Sequence, residues 1–336
     1  MGLVISAHDV NSIGNRKDPL LCREPLGLER AYWPLGFPVR VETNSPLVLE
    51  AADISWGECA KRFDVEPVVV RAGVHGPDDA PVPEAPVYRS HDYLLSIVAS
   101  RFDTAVCDLQ HGFASCWVTP AFVADSSYFR YTFLEAMTYM LLAGRYLAPV
   151  HAAAVEFKGS GVLLCGDSGS GKSTLAFASA QRGWTYVCDD GAHLVRDQQD
   201  PLVVGASFEI RLREDAKRLF PDVAMHLPRR RASGSIKLEI RTADLPWFRT
   251  ANEVTVRHIL FLDRRRSGPA EFAPMTDDEA LAQFMRVTQY GADAMHREWE
   301  RSYRRLLSSS RVARLSYSDL DSAIDRLEQK IREDKG

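Results

Sequence analysis

The sequence predicts an α/β phosphate-binding domain over residues 149–336, preceded by an α+β domain over residues 1–148. Its 336 residues are 46% hydrophobic, which is enough for two buried cores. The glycine-rich stretch of residues 166–174 follows an apolar run and precedes a helical pattern without proline, the order typical of a phosphate-binding loop. The first part of the chain mixes β-branched, alternating and helical patterns, which favours an α+β fold.

The elements of the first domain follow from local patterns. Residues 1–45 are rich in proline, glycine and charge, which predicts an irregular arm. The elements expected after it are a capped helix from Ser45, a strand over residues 67–74, a proline-rich loop over 76–86, antiparallel strands over 90–122 and a helix over 127–148. We regard this domain as a candidate region for binding an acceptor or another partner.

The second domain begins with the succession strand, glycine loop, helix and strand, which is typical of phosphate-binding α/β folds. Further elements expected are strands over residues 202–212 and 255–263, helices over 277–289 and 292–307, and a last helix that Ser318 caps. We find no internal repeat.

Composition excludes several partners. The net charge of −4 and the pI near 6.2 predict neither nucleic-acid nor membrane binding. The most apolar stretch, residues 133–150, contains Glu135 and Arg145, which favours a core helix over a membrane span. Six dispersed cysteines without metal-ligand spacing and a start without a signal-peptide pattern predict a cytoplasmic protein.

The stretch GDSGSGKST matches the phosphate-loop pattern GxxxxGK(S/T). Glycines allow positive φ, so successive backbone N–H groups can face a phosphate at the start of the next helix. Lys172 would contact the β- and γ-phosphates and Ser173 would bind Mg²⁺. The alternative is a glycine-rich helix entry without a ligand. The residues predicted to bind the nucleotide are Gly166, Asp167, Ser168, Gly169, Ser170, Gly171, Lys172, Ser173 and Thr174.

Polar residues at the ends of neighbouring strands are candidates for catalysis. Asp189 and Asp190 close the apolar strand that follows the loop, where one acid could organise a metal and the other accept a proton. The alternative is a solvated turn. His151 opens the strand before the loop. It is a candidate catalytic residue, and the alternative is a purely structural role.

Two charged groups follow further along the chain. Glu209 and Arg211 lie on one face of a predicted strand and could point at the nucleotide or form a cross-strand ion pair. Arg229, Arg230 and Arg231 form a basic loop that could clamp phosphates or an acidic partner, or simply be solvated.

Residues 149 to about 265 resemble the core of the HPr serine kinase/phosphorylase family. That family has a His fifteen positions before the first loop glycine, an Asp-Asp pair closing the next strand and a later E-x-R element. In this chain His151, Asp189-Asp190 and Glu209-Ile210-Arg211 reproduce the layout. The resemblance implies an HPr-kinase-like P-loop kinase domain over residues 149–336.

What the resemblance implies is transfer of the ATP γ-phosphate to a serine hydroxyl. Asp190, next to Asp189, would accept the proton of the serine hydroxyl. His151 would be the catalytic neighbour of Asp190, and Lys172 would be the lysine that contacts the phosphates. Ser173 and Glu209 would bind Mg²⁺. The sequence departs from the family after residue 212, where a charged helical pattern replaces the glycine-rich signature, so the reverse phosphorylase reaction stays open.

The predicted function is therefore an ATP-dependent phosphotransferase acting on a serine-bearing protein, peptide or small molecule, with ATP and Mg²⁺ as cofactors. Two alternatives stay open, a non-catalytic nucleotide-sensing module and a P-loop NTPase. Oligomerisation through the second domain is also left open.

Overall fold

The chain is a mixed α/β protein with three β-sheets among the residues that its structure describes. The computed structural model describes residues 26–76, 85–230, 236–286 and 290–334. These residues divide into two units, the first within Met1–Ser90 and Leu94–Leu142 and the second within His91–Tyr93 and Ala143–Gly336. The first 25 residues of the arm predicted over 1–45, and most of the loop predicted over 76–86, lie outside the described residues. The rest of that arm is not irregular as predicted, because residues 28–32 and 39–43 pair as neighbouring strands.

The first unit contains a seven-stranded sheet. Its strands are β1 (Leu28–Tyr32), β2 (Val39–Thr43), β3 (Val68–Val74), β4 (Val87–His91), β5 (Leu94–Val98), β6 (Thr104–Asp108) and β7 (Phe113–Val118). The strand order is β1-β2-β3-β7-β6-β5-β4. Alternate side chains are buried, as in β2, where Val39 and Val41 have no exposed surface. The β-branched and alternating runs of the sequence thus form strands here.

Three of the helices described in the first unit begin at a proline or at a capping side chain, and the fourth continues from a π-helical turn. They are α1 (Pro46–Trp56), α2 (Pro120–Ala124), α3 (Ser126–Phe129) and α4 (Glu135–Arg145), with a π-helical turn over Arg130–Leu134. Pro46 opens α1, where its missing N–H leaves no helical hydrogen bond unmade. Thr119 caps α2 and Asp125 caps α3 through their side-chain oxygens. The end of α4, from Ala143, is counted with the second unit.

A buried ion pair lies beside the π-helical turn of the first unit. Arg130 Nη2 donates to Glu135 Oε1 at 3.1 Å, and Arg130 Nε donates to Ser55 Oγ at 2.8 Å. All three residues are buried. Because a buried charge needs a partner, this cluster ties α1 to the turn.

The second unit contains a large mixed sheet and a small antiparallel sheet. The strands of the large sheet are β8 (Leu147–Val150), β9 (Ala152–Phe157), β10 (Ser160–Cys165), β11 (Thr185–Cys188), β12 (Ala192–Val195), β13 (Leu202–Val204), β17 (Arg249–Thr250), β18 (Glu253–Arg264), β19 (Glu271–Pro274) and β20 (Arg311–Tyr317). The small sheet consists of β14 (Glu209–Leu212), β15 (Pro228–Arg230) and β16 (Ile236–Arg241), with β16 in the middle. In the large sheet the order is β17-β11-β9-β10-β18-β13-β12-β8, and β20 pairs with β18 and β19.

Helices of the second unit cover its sheets. They are α5 (Lys172–Gln181), α6 (Asp277–Arg286), α7 (Asp293–Ser308) and α8 (Leu320–Glu333). Phe177 of α5, Leu327 of α8 and Ile210 of the small sheet belong to one buried apolar cluster. The helices of the described residues include none that is both long and apolar enough to cross a membrane.

Two helix boundaries differ from the sequence prediction. The helix predicted over 127–148 ends at Arg145, because the next residues pair with β12 as the last strand of the sheet, where Pro149 is tolerated. Asp319, and not Ser318, caps α8 by accepting from Ser322 N at 2.8 Å. The Ser318 hydroxyl donates instead to Gly268 O.

The strand predicted over residues 202–212 is two strands, β13 and β14, in different sheets. Between them, Gly205 passes so close to β11 that a Cβ at this position would lie 2.6 Å from Cys188 Cβ. Gly205 N donates to Asn252 O. The chain therefore leaves the large sheet at Gly205, and the apolar run continues as part of the small sheet.

Candidate active site

The glycine loop, residues 166–171, joins the end of β10 to the start of α5. Gly166, Gly169 and Gly171 have φ values of 141°, 92° and 97°, which glycine adopts far more easily than other residues. At Gly171 a side chain also lacks room, since a Cβ would lie 2.4 Å from the Tyr317 hydroxyl oxygen. Gly171 is the N-cap of α5 and has no side chain to cap the helix. The start of α5 therefore suits an anion such as phosphate.

Three acceptors surround the ammonium group of Lys172, the first residue of α5. Nζ lies 2.8 Å from Gly166 O, 3.3 Å from Asp167 O and 3.0 Å from His151 Nε2. An ammonium group has three N–H donors, so each donor is matched. Burial lowers the pKa of Lys172, and the carboxylate of Asp190 partly offsets this effect. A phosphate that binds Lys172 would replace one of the three acceptors.

His151 connects Lys172 to Asp190. His151 Nδ1 lies 3.0 Å from Asp190 Oδ1. A lysine ammonium can only donate, so Nε2 of the imidazole accepts and its proton stands on Nδ1, which donates to Asp190. The imidazole thus links a cation on one side to an anion on the other.

The exposure and the charge of Asp190 both suit a proton acceptor. Burial raises the pKa of Asp190, but the hydrogen bond from His151 and the charges on Lys172 and Lys237 outweigh it, so the pKa lies below its ordinary value. The side chain of Asp190 is 56% exposed. The carboxylate is therefore ionised at neutral pH and accessible to another molecule.

The topology of the large sheet brings His151 and Asp190 to the glycine loop. Strand β9 runs antiparallel to both β10 and β11, so the start of β9 lies beside the ends of its two neighbours. Ala152 pairs with Cys165, the last residue of β10. His151, which precedes β9, therefore lies between the loop after β10 and the acid pair after β11.

Asp189 has a different environment from Asp190. Asp189 is buried, and its Oδ2 accepts from Arg211 N at 2.9 Å. Burial raises the pKa of Asp189 to about 6, with Asp190 adding to the rise and the charge of Arg211 opposing it. The two neighbouring carboxyl groups thus bind protons at different pH values, as in sites that use one acid for chemistry and another for positioning.

Glu209 and Arg211 contact each other on β14. Arg211 Nε donates to Glu209 Oε1 at 2.6 Å, and the Tyr186 hydroxyl donates to Glu209 O at 3.0 Å. Ser173 is half-buried in the first turn of α5. Across the described part of the chain, no group of three or more His, Cys, Asp or Glu side chains could hold a metal. A cation bound by Ser173 and Glu209 would need further ligands from a nucleotide and water.

Four side chains near the loop are not among the predicted site residues. Three of them contact residues of the loop: Arg286 contacts Asp167, Arg213 contacts Ser168 and Tyr317 contacts Ser170. The fourth is Lys237, whose charge affects the pKa values of Lys172 and Asp190. Arg213 has a sequence signal, because Glu209, Arg211 and Arg213 alternate. Arg286 and Tyr317 have none, since they come from distant elements.

The remaining predicted residues lie at the edge of the site or outside the described part. Thr174 is half-buried in the first turn of α5. The side chains of Arg229 and Arg230, and the whole of Arg231, lie outside the described residues. The basic clamp suggested for them stays a prediction.

Comparison with known proteins gives partial matches to one kind of enzyme. No protein-family model matches the chain. A 60-residue stretch is 43% identical to the HPr kinase/phosphorylase of Halalkalibacterium halodurans and covers 17% of this chain and 19% of that protein. A 95-residue stretch is 35% identical to the HPr kinase/phosphorylase of Bacillus cereus and covers 27% of this chain and 26% of that protein. Bacillus anthracis has a relative with the same values.

These matches confirm the resemblance to HPr kinase/phosphorylases that the sequence predicts. The chain spans 19% to 26% of the length of these curated relatives. A solved structure, the HPr(Ser) kinase/phosphatase from Coxiella burnetii, also matches with 14% identity over 56% of this chain and 95% of that one, at a TM-score of 0.29. At that TM-score the likeness adds nothing to the description of the fold.

Proposed function

We propose that this chain is an ATP-dependent phosphotransferase that moves the γ-phosphate to a serine hydroxyl of a protein, peptide or small molecule. The observation that carries the proposal is the hydrogen-bonded series Lys172, His151 and Asp190 beside the glycine loop. It joins a phosphate-binding cation to an accessible carboxylate. The relatives named HPr kinase/phosphorylase support kinase activity. Because the chain matches only part of them, we leave the acceptor as a serine hydroxyl.

The glycine loop would hold the phosphates of the nucleotide. Its fit rests on the positive φ values and on the space that a Cβ at Gly171 would fill. Backbone N–H groups of the loop and Lys172 would contact the β- and γ-phosphates. Lys172 would exchange one of its three acceptors for a phosphate oxygen, and the positive end of α5 would add to the attraction.

Asp190 would act as the general base. Its lowered pKa keeps the carboxylate ionised at neutral pH, and His151 orients Oδ1 by donating from Nδ1. As the serine oxygen forms its bond to the γ-phosphorus, the bond from that phosphorus to the ADP oxygen breaks. The hydroxyl proton passes to Asp190, so the products are phosphoserine and ADP. Asp189, the buried residue that precedes Asp190 in the chain, would position it.

Ser173 and Glu209 are the proposed protein ligands of Mg²⁺. The ion would supply positive charge where the phosphoryl group is transferred. Ser173 suits this role because it follows the phosphate lysine at the start of α5. Glu209 must share its carboxylate with Arg211, which lies 2.6 Å away. Two protein ligands are typical of Mg²⁺ sites, where phosphates and water complete the shell.

The test is to replace Asp190 by Asn and to measure nucleotide binding and phosphate transfer separately. The change keeps size but removes the base, so the rate of transfer from γ-labelled ATP to serine peptides should fall by roughly 10² to 10⁴. ATP affinity, measured by calorimetry, should change much less. Asp200→Asn is the control, because Asp200 is an exposed residue paired with Arg257. Lys172→Ala should weaken both binding and transfer.

Three outcomes would contradict the proposal. Transfer by Asp190→Asn at the wild-type rate would exclude Asp190 as the base. Wild-type protein could instead bind ATP without transferring phosphate to any peptide, free serine compound or HPr. If Asp190→Asn then also leaves ATP binding unchanged, the result would favour a nucleotide-sensing module. Release of phosphate to water at a rate that Asp190→Asn leaves intact would favour an NTPase.

A further inference from the structure

Arg213 is held at the edge of the glycine loop by the backbone on both sides of it. Leu212, the residue before it, is fully buried in the core of the second unit. On the other side, Ala216 N donates to Arg213 O at 3.0 Å, which starts a 3-10 turn over Glu214–Arg218. Since side chains alternate along a strand, Arg213 continues the polar face of Glu209 and Arg211.

The guanidinium group of Arg213 contacts the exposed rim of the glycine loop. Arg213 Nη2 lies 3.4 Å from Ser168 Oγ. A Cβ at Gly169 would lie 3.3 Å from the same nitrogen, so the guanidinium packs in the space that a side chain at position 169 would need. Residues 167–169 are exposed, and Arg213 therefore reaches the loop from its solvent side.

Arg213 differs from the other arginines beside the loop in its partners. Arg211 pairs with Glu209, and Arg286 pairs with Asp167. Among the described residues, the neutral hydroxyl of Ser168 is the hydrogen-bond partner that Arg213 has. Among those residues, therefore, no carboxylate balances the charge of the Arg213 guanidinium group. A planar guanidinium with several donors suits two oxygens of a phosphate better than one serine hydroxyl.

We infer that Arg213 is a further catalytic residue, which binds the terminal phosphate of a nucleoside triphosphate at the exposed rim of the glycine loop. This inference rests on the proposed function. The backbone N–H groups of the loop surround the β-phosphate, whereas a side chain at the outer rim meets the phosphate that projects beyond the loop. Arg213 therefore distinguishes ATP from ADP and stabilises the phosphoryl group during transfer.

The experiment compares ATP and ADP affinities, measured by calorimetry with Mg²⁺, in wild type, Arg213→Met and Arg213→Lys. Methionine keeps much of the length of the side chain and removes the charge. ATP affinity should fall roughly 10- to 100-fold in Arg213→Met, the range for hydrogen bonds to a charged group, while ADP affinity changes by less than about threefold. Arg213→Lys should recover part of the ATP affinity. Arg218→Met is the control, an exposed arginine on the neighbouring turn.

Equal losses for ATP and ADP, or no loss for either, would overturn the role of Arg213. If Arg213→Met proves unfolded in a thermal melt, the ratio of ATP to ADP affinity in Arg213→Lys decides in its place, and a ratio equal to that of wild type overturns the inference. Failure of the proposed function itself would give a different result. Wild type would bind both nucleotides without transferring phosphate, or would bind neither nucleotide. If only the Arg213 inference is wrong, wild type still transfers phosphate.

Discussion

Replacing the buried Asp189 by Asn should stabilise the second unit at neutral pH. The pKa of Asp189 in the fold is about 6, against an ordinary value of 3.8. Holding the ionised form in the fold therefore opposes folding. Each pKa unit corresponds to about 1.4 kcal/mol, so the free energy of unfolding should rise by up to roughly 3 kcal/mol. The amide oxygen of Asn can still accept from Arg211 N, as the carboxylate does at 2.9 Å.

The pH dependence of this effect has a defined sign. A raised pKa in the fold means that the folded state binds the proton more tightly than the unfolded state does. The contribution of Asp189 to stability is therefore fully present below about pH 4 and is lost as pH rises through about 6. The difference between Asp189→Asn and wild type should be largest above pH 7 and should shrink toward pH 4.

Unfolding curves of wild type and Asp189→Asn at several pH values test this prediction. Trp184, buried in the same unit, offers a fluorescence signal. For a unit of this size, about 3 kcal/mol corresponds to a rise in Tm on the order of 5–10 °C at pH 7.5. Asp190→Asn is the matched control, because its lowered pKa stabilises the fold at neutral pH and its removal should bring no gain.

Either of two results would refute the reasoning. One is a lower Tm for Asp189→Asn at pH 7.5, which would mean that the ionised carboxylate contributes more through Arg211 than its burial costs. The other is a gain of equal size at pH 4.5 and pH 8, because a difference that does not depend on pH cannot come from a proton equilibrium.

Three further predictions concern other parts of the chain. Gly171→Ala should weaken ATP binding on the order of tenfold in calorimetry, since the φ of 97° strains any side chain. Ser173→Ala and Glu209→Gln should each raise the Mg²⁺ concentration that gives half-maximal transfer, and an unchanged titration would remove the residue from the metal site. Glu135→Gln should lower the free energy of unfolding of the first unit by about 3–5 kcal/mol in urea, because Arg130 is left buried without a carboxylate.

The glycine loop could be predicted because its requirements are local. Positive φ needs glycine, a helix start favours an anion, and both features lie within nine consecutive residues. The contact between His151 and Asp190 cannot be predicted from local sequence, because it depends on β9 running between two strands of the opposite direction. From the sequence alone, only the resemblance to a family implies that relation between the two residues.

The rest depends on contacts that leave no local pattern. The Tyr317 hydroxyl donates to Ser170 O at 3.2 Å, yet nothing around position 317 indicates a loop partner. The break between β13 and β14 at Gly205 also depends on a distant contact, because Cys188 of another strand lies against this glycine. Apolar runs predict that strands exist, but the sheet to which each belongs is decided by packing.

The bond between Asp189 and Arg211 N connects the acid pair to β14. Through this bond the carboxyl that precedes Asp190 also holds the strand that carries Glu209 and ends beside Arg213. Burial of a carboxyl group in this position lowers stability at neutral pH, so the arrangement is expected to be retained for what it positions. Asp189→Asn should therefore be more stable than wild type and yet slower in transfer. A variant that gained stability without any loss of rate would show that Asp189 has no part in positioning the site.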